Sequence, residues 1–281
     1  MAAKIAKVVV AAGHGGSDPG AVAAGKFKES VMALVVVKAV NTELKKYKNI
    51  NIRMARTSDI NQSITKKVNI ANDFDADLAL DIHFNAGGGD GAEVWATYAG
   101  GYGTTLGNNI LAEFEKIGQN SRGVKYKTEN GKDYFGFIRM TDMPAVIVEC
   151  GFIDNAKDRK LFDTVKEQQE LGVAIAKGII KTLKQMGFEN AGELKSTAKK
   201  KYSGVFPKLP SRGYFKSGDS GTQVKRLQKF LNWAVNAGLK VDGDLGSKTI
   251  AAVKKFQKAY GLTQDGKFGK KSLAKAKKIK K

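Results

Sequence analysis

The stretch "IAKVVVAAGHGGSDPGA", Ile5 to Ala21, limits what this chain can fold into more than any other. From Val8 to Ala12 the apolar residues run on without alternating with polar ones. A strand of that kind is buried on both faces, as in a parallel sheet with helices on either side. The run ends in glycines, which let a backbone turn sharply at little steric cost. Set among them is His14, one of only two histidines in 281 residues.

The next 170 or so residues repeat the theme. "INIRMAR" (50–56), "ADLALDIHF" (76–84), "GAEVWATY" (91–98) and "AVIVECGF" (145–152) read as further strands. Helical spacing of apolar residues predicts helices over Glu29 to Tyr47, Gly103 to Ile117 and Asp158 to Met186. Asn155 stands where it can cap the last of these. Alternating strands and helices predict an α/β domain, a mostly parallel sheet covered by helices. In such sheets functional side chains gather where strands end. Both histidines, His14 and His83, lie there.

The charge is unevenly placed. From Lys195 to the end, 23 Lys and Arg stand against 4 Asp and Glu, while the preceding 194 residues hold 25 against 23. A near-neutral first part is joined to a strongly basic second part, which points to a polyanionic partner. Between them, "NAGELKSTAKKKYSGVFPKLPSRG" (190–213) has the composition of a linker. The remainder, 214–281, contains an echo at an offset of 23 residues: "DGDLGSKTIAAVKKF" from Asp242 and "DGKFGKKSLAKAKKI" from Asp265. Each copy reads as an Asp-Gly turn leading into a helix that begins in a Ser or Thr region. With "TQVKRLQKFLNWAV" before them, they predict a small all-α domain of three helices. The predicted domains are therefore 1–189, 190–213 and 214–281.

Composition excludes several classes. Apolar residues make up 42% of the chain, enough for a real core. No window reaches the ~18–20 consecutive apolar residues of a membrane span, so no membrane insertion is expected. The first twelve residues are too short an apolar run, interrupted by Lys7, to read as a signal peptide. The single cysteine, Cys150, allows no internal disulfide and lies in an apolar run, where a buried structural thiol is the expectation.

Three residues can form a metal site: His14 in the loop after the first strand, Glu29 opening the following helix, and His83 at the end of "ALDIHF". Two imidazoles and one carboxylate leave one position of a tetrahedral ion open, the composition of a catalytic rather than a structural zinc site. The residues alone leave a second reading open, in which the histidines are structural and Glu29 answers the helix dipole. Glu149, in the apolar "PAVIVECGF", is costly to bury unless it has a task or a cationic partner.

"GHGGSDPGA", the helix-opening Glu29, "IHFNA" and "PAVIVECGFIDN" appear in the order found in zinc-dependent N-acetylmuramoyl-L-alanine amidases of the Amidase_3 type. The C-terminal part, "KSGDSGTQVKRLQKFL" through "DGKFG", resembles a peptidoglycan-binding domain of the PG_binding_1 type. Together the two likenesses resemble a bacteriophage endolysin. The resemblance implies His14, Glu29 and His83 as ligands of Zn2+, Glu149 as the catalytic carboxylate and Asn85 as a lining of the substrate groove. It implies hydrolysis of the amide between N-acetylmuramic acid and L-alanine of bacterial peptidoglycan. Synthesis in the host cytoplasm without a signal peptide, followed by action on the wall, is the matching expectation. Two departures, Ala11 where an acidic residue is frequent and "DIHFN" where "SIHAN" is common, bear on the surroundings of the ligands. The basic module is expected to meet peptidoglycan and anionic wall polymers. No nucleic-acid motif accompanies its charge, so nucleic acid is not expected. The alternatives from other classes are a wall-binding protein with an inactive amidase-like domain and a zinc peptidase acting on the stem peptide.

Overall fold

The computed structural model describes residues 4–23, 27–195 and 202–279. The chain divides into two compact units, Met1–Lys195 and Ser196–Lys281.

Six strands form the sheet of the first unit: β1 (Ala6–Ala12), β2 (Ile50–Met54), β3 (Leu78–Asn85), β4 (Ala92–Trp95), β5 (Ser121–Lys125) and β6 (Ala145–Phe152). Their order across the sheet is β2-β1-β3-β6-β4-β5. The first four in that order are mutually parallel, whereas β4 lies antiparallel to β6 and parallel to β5. Strand periodicity then sorts the core. Val8, Val10, Leu78, Leu80, Val146 and Val148 join one apolar cluster, and Val9, Ala79, Ala145 and Ile147 join another on the opposite face. Helices α1 (Glu29–Leu44), α3 (Tyr102–Glu115) and α6 (Val165–Gln185) cover the first face. Helices α2 (Ile64–Asp73) and α4 (Gly136–Met140) cover the second.

The mostly parallel sheet covered by helices agrees with the sequence reading, and the departures are local. The long helix expected over Asp158–Met186 is two, α5 (Ala156–Arg159) and α6. Thr164 and Glu167 form a reciprocal capping box that starts α6 afresh. Upstream, the Asn155 side chain caps α5 by accepting from the backbone N–H groups of Lys157 and Asp158. Strand β5 and helix α2 were not anticipated. The edge strand is polar, and only Lys67, Val68 and Ala71 of α2 are buried, too few positions for a clear helical stripe.

In the second unit, α7 (Thr222–Val235), α8 (Ser247–Ala259) and α9 (Lys270–Ile279) are the three expected helices. A two-residue ribbon, β7 (Tyr214–Phe215) with β8 (Phe268–Gly269), is added to them. The sequence echo corresponds to one structural device used twice. Buried Gln228 donates to Asp242 Oδ1 at 2.7 Å and to Asp244 O at 3.0 Å, and accepts from Gly243 N at 2.9 Å. Buried Gln257 donates to Asp265 Oδ1 at 2.6 Å and to Lys267 O at 3.1 Å, and accepts from Gly266 N at 2.9 Å. Helix α8 has no side-chain cap of the expected kind at Gly246; the Thr249 hydroxyl instead donates to Asp244 O.

Of the stretch 190–213, the described residues on each side join one of the two units. Ala191 is buried in the first unit, where Lys195 N donates to Lys46 O. Tyr202 is buried in the core of the second.

Candidate active site

β1, β3 and β6 run in the same direction, so their C-terminal ends open on one rim of the sheet. His14 follows β1, His83 lies near the end of β3, and Glu149 stands beside His83 in the register of β6. Glu29, the first residue of α1, comes back over the same rim.

The glycines flanking His14 have a specific task. A Cβ on Gly13 would lie 2.4 Å from the His83 ring, and one on Gly20 would lie 2.6 Å from both the Glu29 carboxylate and the His14 ring. His14 itself is held at φ +54°, a conformation uncommon outside glycine and worth noting at a functional site.

Glu29 Oε1 accepts from His83 Nδ1 at 2.8 Å and lies 3.2 Å from His14 Nε2. The two rings meet edge to face with centroids 5.0 Å apart. One donor atom from each residue lies within 4.8 Å of the others. Donors around a four-coordinate ion with bonds of ~2.0–2.1 Å stand roughly 3.3 Å apart, so this trio fits one metal ion without rearrangement of the fold. The electrostatics agree. Burial pushes the Glu29 carboxyl up, but hydrogen bonds from His14 and His83 outweigh it and hold the group at about 2. Burial favours neutral His83, but the Asp81 and Glu29 carboxylates carry its pKa to about 10. The cluster demands positive charge, and a divalent cation meets that demand as protons do.

Each histidine turns its other ring nitrogen to an aspartate. His14 Nδ1 lies 2.7 Å from Asp18 Oδ2, on an exposed loop where Asp18 Oδ1 also accepts from Gly20 N. His83 Nε2 lies 3.4 Å from Asp81 Oδ2. Asp81 is 3% exposed and takes both its oxygens to Lys67 Nζ, at 2.9 and 2.8 Å; Lys67 is itself 3% exposed. Partners of this kind fix the tautomer and orientation of a ligating imidazole. Asp81 is, with Phe84, one of the two residues by which "DIHFN" departs from the more common motif, and Lys67 on α2 is its counter-charge. Asp18 and Lys67 were not singled out from the sequence; the motif "GHGGSDPG" contained the signal for the first.

Arg56 was missed as well. It is 2% exposed and spends its donors on backbone carbonyls, Ala12 O at 3.2 Å, Gly13 O at 2.8 Å, Ser30 O at 2.7 Å and Ser58 O at 3.1 Å. One side chain thereby joins the loop that carries His14 to the helix start that carries Glu29.

Glu149 has no Lys or Arg within 4 Å among the described residues, and its buried Oε2 has no hydrogen-bond partner. Burial pushes its carboxyl up to about 7 against the pull of His83. Across the strand pair stands Glu93, whose oxygens accept from Asn85 Nδ2 at 3.1 Å and from Arg122 Nε at 2.8 Å. Asn85 thus reaches the rim with its amide engaged by Glu93, and its Oδ1 accepts from Ala86 N. Cys150 points into the apolar core, fully buried.

Residues 8–181 match the family model for N-acetylmuramoyl-L-alanine amidase, and residues 220–275 match a putative peptidoglycan binding domain. The chain is 35% identical over 175 residues to N-acetylmuramoyl-L-alanine amidase CwlM of Bacillus licheniformis, covering 62% of this chain and 67% of that protein. It is 31% identical over 175 residues to the endolysin of Bacillus phage SPP1, covering 61% and 64%. Among solved structures, the catalytic domain of the amidase CwlV from Bacillus (Paenibacillus) polymyxa matches with a TM-score of 0.58 at 28% identity, covering 64% of this chain and 99% of that one. The chain thus spans about two thirds of the length of the two curated relatives.

Proposed function

Because the chain belongs to the N-acetylmuramoyl-L-alanine amidase family, we propose that its first unit hydrolyses the amide between the lactyl group of N-acetylmuramic acid and L-alanine in peptidoglycan. The single observation that carries this reading is the rim of the sheet, where two histidines and a carboxylate converge beside half-buried Glu149, whose buried Oε2 has no hydrogen-bond partner among the described residues.

In this reading His14, Glu29 and His83 hold a zinc ion. When bound, the ion polarises the scissile carbonyl and lowers the pKa of adjacent water towards ~7. The chain's own residues do the rest. Glu149 Oε2, free of any partner, accepts the proton of the attacking water. The same carboxyl then delivers that proton to the departing nitrogen, so that water and the amide become a lactyl carboxylate and a free alanine amine. A carboxyl poised near neutral pH by burial suits both halves of that cycle. Asp18 and Asp81 orient the two imidazoles, and Lys67 keeps Asp81 ionised in its buried place. Asn85 and Arg122, both held on Glu93, line the approach for the substrate.

The second unit concentrates the enzyme on the wall. Its match to a peptidoglycan-binding domain supports this, as does its excess of lysine, which would draw it to a polyanionic network with an attraction that salt weakens. The likeness to the SPP1 endolysin supports a role in phage-driven lysis of a bacterial host.

Digestion of purified peptidoglycan with and without a chelator tests the assignment. New amino-terminal alanine, absent when chelator is present, is the expected result. New reducing sugar, a different amino terminus, or release that ignores the chelator overturns it.

A further inference from the structure

The second unit carries a cleft of about 500 Å³ whose lining includes Tyr202, Gly204, Val205, Arg226, Lys229 and Trp233. Half of these residues lie before position 220, outside the stretch that matches the peptidoglycan-binding domain. Arg226, Lys229 and Trp233 are spaced three and four apart on α7, so they share one face of that helix. Tyr202 packs against Trp233 with ring centroids 5.2 Å apart and against Phe230 at 5.5 Å.

The Tyr202 residue is 6% exposed, and its hydroxyl is buried with no hydrogen-bond partner. A buried hydroxyl without a partner is unfavourable to folding, so its presence asks for a reason outside the packing. Gly204 lies directly against it: a Cβ there would lie 2.5 Å from the Tyr202 oxygen, so any larger residue must push the phenol aside. Arg226 and Lys229 stand at the same opening. Neither has an ion-pair partner among the described residues; Arg226 makes only a long contact, 3.4 Å, to Gln223.

We propose that this cleft is a binding site for a carboxylate-bearing muramoyl-peptide unit of the wall. The proposal rests on the reading of the second unit as a wall-binding module, and locates the contact. Each wall of the cleft matches one part of such a ligand. The guanidinium and ammonium groups receive a peptide carboxylate. The Trp233 side chain offers a flat apolar surface to a sugar ring or an alanyl methyl. The Tyr202 hydroxyl donates to a neutral carbonyl or hydroxyl oxygen. A phosphate polymer needs only the cations, which the unit displays on many faces; it gives no use to a sequestered phenol or an aromatic wall.

The test uses the full chain carrying Glu149→Gln, so that the wall stays intact, and peptidoglycan stripped of phosphate polymers. Binding isotherms by co-sedimentation are read beside thermal unfolding. Tyr202→Phe is expected to weaken binding about tenfold while leaving the unfolding midpoint unchanged or higher, because the lost hydroxyl had no partner in the free protein. Arg226→Ala and Gly204→Leu are expected to weaken binding by a similar factor, and Lys255→Ala, an exposed lysine on α8, by less than twofold. Parent-like binding by Tyr202→Phe and Arg226→Ala overturns the site, and so does a loss with Lys255→Ala as large as theirs. If the parent binds only wall that retains its phosphate polymers, the ligand class is wrong and the proposal falls. A parent that binds neither wall overturns the wall-binding reading itself, a result distinct from failure of the cleft alone.

Discussion

The two units differ in whether they bury charge. Beside neutral residues such as Asn109 and Gln168, the interior of the first holds Glu29, Arg56, Lys67, Asp81, Glu93 and Asp158, each answered by hydrogen bonds or an opposite charge. Among the described residues of the second, the buried polar ones are Gln228, Thr249, Gln257 and Ser272, all neutral, and none of the lysines is buried. Buried charge is expensive to maintain and is retained where a proton or a cation must be handled. Neutral amides fix turns without that cost. The contrast separates a unit built for a reaction from one built to present a surface.

Substitutions can break this contrast in order of expected size. Glu149→Gln is expected to lower turnover by roughly 10²–10⁴-fold while metal content and fold persist, whereas His83→Ala loses bound metal together with turnover. Metal analysis and peptidoglycan release rates distinguish the two, and full activity of Glu149→Gln would remove that residue from the chemistry. Next, Lys67→Met leaves the Asp81 carboxylate buried with only His83 beside it, at an expected cost of about 3–5 kcal/mol in denaturant unfolding of the first unit. A change below ~1 kcal/mol would mean that water or relaxation replaces the ammonium. Asp18→Ala acts on the other histidine from an exposed position, and is expected to lower metal affinity about 10–100-fold by chelator competition with little change in stability. Smallest is Gln257→Met in the second unit, expected at ~1–2 kcal/mol and confined to that unit's unfolding transition. If Gln257→Met proved as damaging as Lys67→Met, the distinction between charged and neutral interiors would lose its energetic meaning.

How much of this was legible in the sequence depended on whether a residue's task was written into a local pattern. The strands showed through their apolar runs; His14 and His83 stood out because histidine is scarce here, Glu149 because glutamate is foreign to an apolar strand, and Glu29 as the helix-opening carboxylate that completes the set the amidase resemblance implies. Lys67 and Arg56 were invisible, because the partners that tie them to the site lie 14 to 44 positions away and no periodicity announces such a meeting. The echoed Asp-Gly turns were readable, but the glutamines that hold them sit in helices where Gln is an ordinary residue. Tyr202 was hidden for a different reason. It lies in a lysine- and proline-bearing stretch with the composition of a tether, and only its contacts with Phe206, Phe230 and Trp233 assign it to a core.

Arg56 carries a consequence for the proposed metal site. By tying Ala12, Gly13 and Ser30 together, it sets the distance between two ligand-bearing segments through the scaffold alone. Under the proposed reading, an incoming ion would meet a socket already tied together, and its binding free energy would not be drained by ordering loose loops. The tightness of that grip would then depend on a side chain that is itself no member of the ligand trio.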